Sequence, residues 1–183
     1  MSALGEGDSL RDLMAPGTVV DSALLQGSEL IPHAGSGFRL VYRTTGQSEE
    51  PVISGAWSAC LREAAARWLA VVSWGHGTSG MTEGCTPSRN NGAVGPVDQA
   101  LDLSRSHGAG YAVAASDYVG SARLATTTAL VPELSASYVA SGLSQGGHAA
   151  LFAGSMATEY APELDLRAVL AFRPHRTSSD CSG

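Results

Sequence analysis

The chain has 183 residues, of which 44% are hydrophobic and 15% charged, and its formal net charge is −6. This is the length of one domain with a real apolar core, and the composition is globular rather than disordered. The acidic balance argues against a nucleic-acid partner, which needs a Lys/Arg-rich face to displace counterions from phosphates.

No run approaches the ~20 apolar residues that span a bilayer, so no transmembrane segment is expected. Residues 1–12 carry Glu6, Asp8, Arg11 and Asp12 and have no apolar stretch of the kind a signal peptide needs. Taken alone, that places the protein in the cytoplasm unless a signal has been removed. The three cysteines, Cys60, Cys85 and Cys181, are odd in number and lack metal-ligand spacing, which leaves room for one bridge at most.

In chain order, Pro16-Gly17 marks a turn before the extended run at 18–20. Residues 38–43 (Phe-Arg-Leu-Val-Tyr-Arg) form a predicted strand, ended at 44–47, and residues 51–55 a second extended piece. Trp57, Leu61, Ala64, Ala65 and Trp68 then fall at helical spacing, predicting a helix over 56–70. It runs directly into an apolar strand at 71–74, followed by the loop Gly75-His76-Gly77-Thr78-Ser79-Gly80 and a polar stretch through residue 92. A short helix is expected over 97–106, on Val97, Leu101 and Leu103. A buried strand follows at 111–115 and ends at Ser116-Asp117-Tyr118, while residues 120–135 carry no clear pattern. The strand at 137–141 runs straight into Gly142. A helix is expected from 146 to 160, with Ala149, Phe152, Ala153, Met156 and Tyr160 as its apolar face and Pro162 as its stop. Residues 166–172 close the series as one more buried strand.

Alternation of strands and helices from 71 to 172 predicts a mostly parallel sheet with flanking helices, in one domain spanning 1–183 with flexible ends at 1–15 and 173–183. Reactive groups in such sheets gather at the carboxyl ends of the strands. That edge collects the His76 loop, Asp117, Ser144 and Pro174-His175.

Gly142-Leu143-Ser144-Gln145-Gly146 has the Gly-x-Ser-x-Gly form, preceded by an apolar strand and followed by a helical pattern, which is the setting this motif requires. A serine hydroxyl is a weak nucleophile and has to be presented on a tight, exposed turn beside a base. Ser144 is therefore the candidate nucleophile. The strand leading into Gly75-His76-Gly77-Thr78 is where α/β-hydrolases place one oxyanion donor, and the other is the residue after the nucleophile. Gly77 or Thr78 and Gln145 fill those roles, and His76 shapes the loop.

Residues 73–89, with Ser73-Trp74-Gly75-His76-Gly77-Thr78 and Cys85-Thr86-Pro87-Ser88-Arg89, resemble the secretory lipase family of α/β-hydrolases. So do Ala115-Ser116-Asp117-Tyr118-Val119-Gly120, the stretch 138–172 with its Gly-Leu-Ser-Gln-Gly-Gly-His-Ala-Ala-Leu core, and the entries at 16–20 and 41–44. The resemblance covers about two-thirds of the chain. It implies an α/β-hydrolase-type fold, incomplete relative to the family, and hydrolysis of small-molecule or lipid carboxylic esters through a Ser-Asp-His triad, with no metal or organic cofactor. It also points to a secreted protein. Family members are longer and carry the triad acid and histidine beyond the point this chain reaches. The segments 56–70, 121–136 and 173–183 depart from the family pattern, as local frame changes, deletion and truncation would produce.

Within this chain, His175 follows the last strand at the correct edge and is the candidate base, with Asp180 as the acid that orients it. His148 lies four residues after Ser144 on the following helix, where it points along the helix, and Asp165 sits at the wrong end of its strand. If the ordinary partners are lost, an oxyanion hole and binding alone still retain ~10³–10⁴-fold acceleration over water. Three alternatives stand beside the ester hydrolase: a serine peptidase, an acyltransferase, and a hydrolase-fold fragment acting as an interaction module. The last predicts an exposed sheet edge that pairs copies of the chain or takes a partner.

Overall fold

The computed structural model describes residues 15–30, 34–46, 48–61, 69–79, 85–89, 110–117 and 134–173. Among the described residues, seven strands form one sheet: β1 (Val19–Leu24), β2 (Ala34–Thr45), β3 (Pro51–Leu61), β4 (Leu69–Gly75), β5 (Ala112–Ser116), β6 (Leu134–Leu143) and β7 (Asp165–Phe172). Their spatial order is β1-β2-β3-β5-β4-β6-β7. The helix α1 (Gln145–Tyr160) connects β6 to β7. Among the described residues, no helix is long and apolar enough to cross a membrane.

The sheet is mixed. β5, β4, β6 and β7 are mutually parallel, as the alternation over 71–172 predicts, whereas β1, β2, β3 and β5 pair antiparallel. β2 and β3 are joined by a tight connection in which Gly46 N–H donates to the Glu50 carbonyl at 2.8 Å. So short a link permits only antiparallel neighbours. β4 lies between β5 and β6, so the chain leaves it in one direction and later continues from β6 in the other. The carboxyl ends of β4 and β6 therefore flank a topological switch point, where open α/β sheets form their crevices.

Two expectations are corrected. Residues 56–61 belong to strand β3, and residues 69–70 open β4, so the helix predicted over 56–70 does not exist at either end; residues 62–68 lie outside the described residues. The periodicity misled because β3 is paired on both sides. Ala56, Trp57, Ser58 and Ala59 are all buried, and a run buried on both faces shows no alternation. β7, expected to be buried, instead stands last in the sheet among the described residues, with Leu170 and Phe172 48% and 45% exposed.

α1 forms where expected, but its apolar stripe points outward. Gly146, Gly147 and Ala150 are buried, and a Cβ at Gly154 would stand 2.6 Å from Val169 Cγ2, so small residues seat the helix close on β6 and β7. Phe152 and Met156 stay exposed. On this side of the sheet Ala150 joins Val71, Ala112, Leu134, Tyr138 and Ala140 in the core, while Trp57, Ala59, Trp74, Val113 and Ala115 form a second cluster. The helix predicted at 97–106, and the ends 1–14 and 174–183, lie outside the described residues.

Candidate active site

The register sets the order of residues along the carboxyl edge. Trp74 pairs with Ala115, Gly75 with Gly142, and Leu143 with Phe172. The strands end just beyond these pairs, at Gly75, Ser116 and Leu143, so His76, Asp117 and Ser144 are the first residues past three neighbouring strand ends. Strand neighbours are ~4.8 Å apart, so the three chain ends converge on one small region.

Ser144 is the turn itself. Its backbone is at φ 54° and ψ −111°, a left-handed conformation that costs a non-glycine residue of order 1–3 kcal/mol. Its N–H donates to the Phe172 carbonyl at 2.8 Å, and its carbonyl accepts from His148 N–H at 3.0 Å, so β7 and α1 both hold the strained residue. Gly142 makes the turn sterically feasible: a Cβ there would lie 2.3 Å from the Gly146 carbonyl oxygen and 2.7 Å from that of Gly75. Ser144 occupies the N-cap of α1, yet its hydroxyl makes no capping hydrogen bond. Serine at an N-cap ordinarily bonds a first-turn N–H.

The loop after β4 faces this turn. His76 is 6% exposed, and its Nδ1–H donates to the Gly77 carbonyl at 2.6 Å, which fixes the proton on Nδ1 because a carbonyl only accepts. Burial holds the His76 pKa below the usual histidine value, while the Gly77 carbonyl and the charge of Asp117 pull it partly back. The ring is thus a neutral spacer that shapes the loop. Thr78 Oγ1 donates to Gln145 Oε1 at 3.1 Å, tying the loop to the first residue of α1. Gln145 N–H is also one of the helix-start donors with no intrahelical acceptor.

A third group is legible only in three dimensions. The Asp117 carboxylate accepts Ser88 N–H at 2.9 Å on one oxygen and, on the other, the Ser88 hydroxyl in a short hydrogen bond. Asp117 N–H donates to the Gly55 carbonyl at 3.0 Å. Arg39 Nε donates to the Ser88 carbonyl at 2.7 Å, and its Nη2 pairs with Glu29 at 3.2 Å. Sequence reading placed Asp117 on this edge but gave no role to Ser88, Gly55 or Arg39, which come from distant segments.

Ser144, Gly77, Thr78 and Gln145 are therefore brought together. His175 and Asp180 lie outside the described residues. The His148 ring packs on Phe152 one turn along α1, at 4.9 Å between centroids. Among the described residues, no histidine hydrogen-bonds the Ser144 hydroxyl.

No protein-family model matches the chain, and no curated protein sequence matches it either. Solved structures do. Lipase A of Candida antarctica in its closed state is 24% identical at a TM-score of 0.69, over 85% of this chain and 42% of that one. The rice cell wall degrading esterase LipA of Xanthomonas oryzae is 22% identical at a TM-score of 0.64, over 87% of this chain and 51% of that one. The chain thus spans about half the length of these structures, or less. At such identity the likeness establishes the fold, which is that of the α/β-hydrolases.

Proposed function

We propose that the chain is a serine hydrolase of carboxylic esters, of the secretory lipase type, with Ser144 as nucleophile. The observation that carries this reading is the strained N-cap serine whose hydroxyl does not cap its helix. A fold keeps such strain where the chemistry needs the group presented.

In this reading Ser144 Oγ attacks the ester carbonyl carbon and its proton passes to a base. The carbonyl oxygen becomes an oxyanion, held by the backbone N–H of Gln145 and that of Gly77 or Thr78 at the positive end of α1. The alkoxide leaves with the proton, and water then releases the acid from the acyl-serine. No metal or organic cofactor enters these steps. His175 and Asp180 are the base and acid this chain offers. The neighbours, a lipase and a cell-wall esterase, support an ester or lipid substrate by analogy of fold.

A fluorophosphonate probe is expected to label Ser144, and Ser144→Ala to abolish labelling and lower ester turnover at least ~10³-fold. Unchanged turnover in that variant overturns the reading. A panel of short-chain esters, long-chain esters and peptide amides separates esterase from lipase, peptidase and acyltransferase.

A second reading is favoured by β7. Leu170 and Phe172 alternate on its exposed face, and among the described residues nothing pairs its outer edge. Such an edge suits a hydrolase-fold unit that completes its site with another chain or a second copy. Sedimentation of the purified chain decides: an active monomer argues against it, an obligate dimer for it.

A further inference from the structure

Asp117 does more than end a strand, because its carboxylate and amide gather three segments that share no local sequence. The amide holds Gly55 in β3, and both carboxylate oxygens hold Ser88 in the 3₁₀ turn Pro87–Arg89. Arg39 of β2 grips the same turn from the other side through the Ser88 carbonyl. Ser88 is 4% exposed while Asp117 and Arg39 are partly buried, so the serine sits inside the clamp and its partners reach in from the half-exposed rim. The space for it is cut by glycine: a Cβ at Gly55 would stand 2.1 Å from Asp117 Oδ2 and 2.7 Å from Ser88 Oγ.

The clamp bears on the oxyanion loop through His76. Pairing of Trp74 with Ala115 brings the ends of β4 and β5 together, near enough for the Asp117 charge to act on the His76 ring, and that ring bonds the Gly77 carbonyl and so orients the Gly77–Thr78 peptide.

We propose that Asp117 is the positioning residue of the oxyanion loop, holding Gly77 and Thr78 in register with Ser144 through the Ser88–Gly55–Arg39 clamp. The proposal rests on the ester-hydrolase reading for its catalytic consequence but not for its structural one. Asp117 touches no substrate in it; the residue acts through the loop.

The test is Asp117→Ala, read by amide 1H–15N chemical shifts and by steady-state turnover of a p-nitrophenyl ester. The shifts of Gly77 and Thr78 are expected to move while those of the amides within β4 and β6 keep their wild-type values. The kcat is expected to fall ~10–100-fold with KM within about twofold, since a displaced donor is lost to the transition state more than to the substrate. Asp117→Asn keeps one acceptor for Ser88 N–H and is expected to recover part of both effects. Ser88→Ala removes only the hydroxyl bond and gives a smaller change of the same sign, which serves if Asp117→Ala does not fold. Unchanged shifts at Gly77 and Thr78 overturn the proposal, as do changes that spread equally through β4 and β6. If the wild-type chain neither turns over the ester nor takes the phosphonate, the ester-hydrolase reading fails, and the shift result still decides the clamp.

Discussion

The turn at Gly142–Gly146 and the clamp at Gly55, Ser88 and Asp117 occupy the same sheet edge and hold their side chains by different means. At the turn, backbone meets backbone: Gly142 is pressed between the carbonyls of Gly146 and Gly75, and Ser144 is held at positive φ by bonds to Phe172 and His148. At the clamp, side chains meet backbone and one another, the Asp117 carboxylate on the Ser88 amide and hydroxyl across 29 residues and the Arg39 guanidinium on the Ser88 carbonyl across 49. A backbone contact has nowhere to go when crowded, whereas a side-chain contact has rotamers to fall back on. The turn should therefore fail abruptly and the clamp by degrees.

Gly142→Ala gives the largest effect. Its Cβ meets two carbonyl oxygens that belong to the first turn of α1 and to the end of β4, and neither retreats without moving its element. The expected cost is ~3–5 kcal/mol in urea unfolding, at the upper end for a single substitution, with loss of phosphonate labelling at Ser144. A loss below ~1 kcal/mol would mean that the turn relaxes as easily as a side chain, and the contrast would fall.

Gly55→Ala is the matching change at the clamp. The added methyl meets the Asp117 carboxylate and the Ser88 hydroxyl, both of which rotate away at the price of their hydrogen bonds. Hydrogen bonds to a charged group contribute ~1.5–3 kcal/mol, so the loss should stay within that range. Turnover should fall as in the Asp117 variants while phosphonate labelling persists at a reduced rate. A cost equal to that of Gly142→Ala would show the clamp to be as rigid as the turn.

The same contrast explains what the sequence discloses. Gly142, Ser144 and Gly146 lie within five residues, and the strand before them and helix after them are written in local patterns, so the turn is legible from the chain alone. The loop with Gly77 and Thr78 is legible for the same reason. Nothing local marks Ser88 as the partner of Asp117, because their pairing depends on β3 and β5 coming together. β3 itself was hidden: Ala56, Trp57 and Ala59 are buried on both faces, and Trp57 and Leu61 happen to fall at helical spacing. In α1 the helix was legible but not its orientation. Seating on β7 selects for small residues, leaving Phe152 and Met156 outside, which inverts the usual reading of an apolar stripe.

The smallest effect joins the two regions through His76. Burial lowers its pKa in the folded chain, and the charge of Asp117 opposes that lowering. With the folded value below the unfolded one, the unfolded chain binds the proton more readily. Stability is therefore full above the ordinary histidine value of 6.5 and is lost as the pH falls below it toward the depressed folded value. The loss for one such group has a limiting slope of ~1.4 kcal/mol per pH unit. Urea unfolding between pH 7.5 and pH 5 should show this slope in the wild-type chain, and His76→Gln should flatten it. In Asp117→Asn the opposing charge is gone, so the folded pKa drops further and the slope should continue to lower pH. If Asp117→Asn titrates like the wild type, the clamp and the loop of Gly77 and Thr78 are electrostatically independent, and whatever couples them is mechanical.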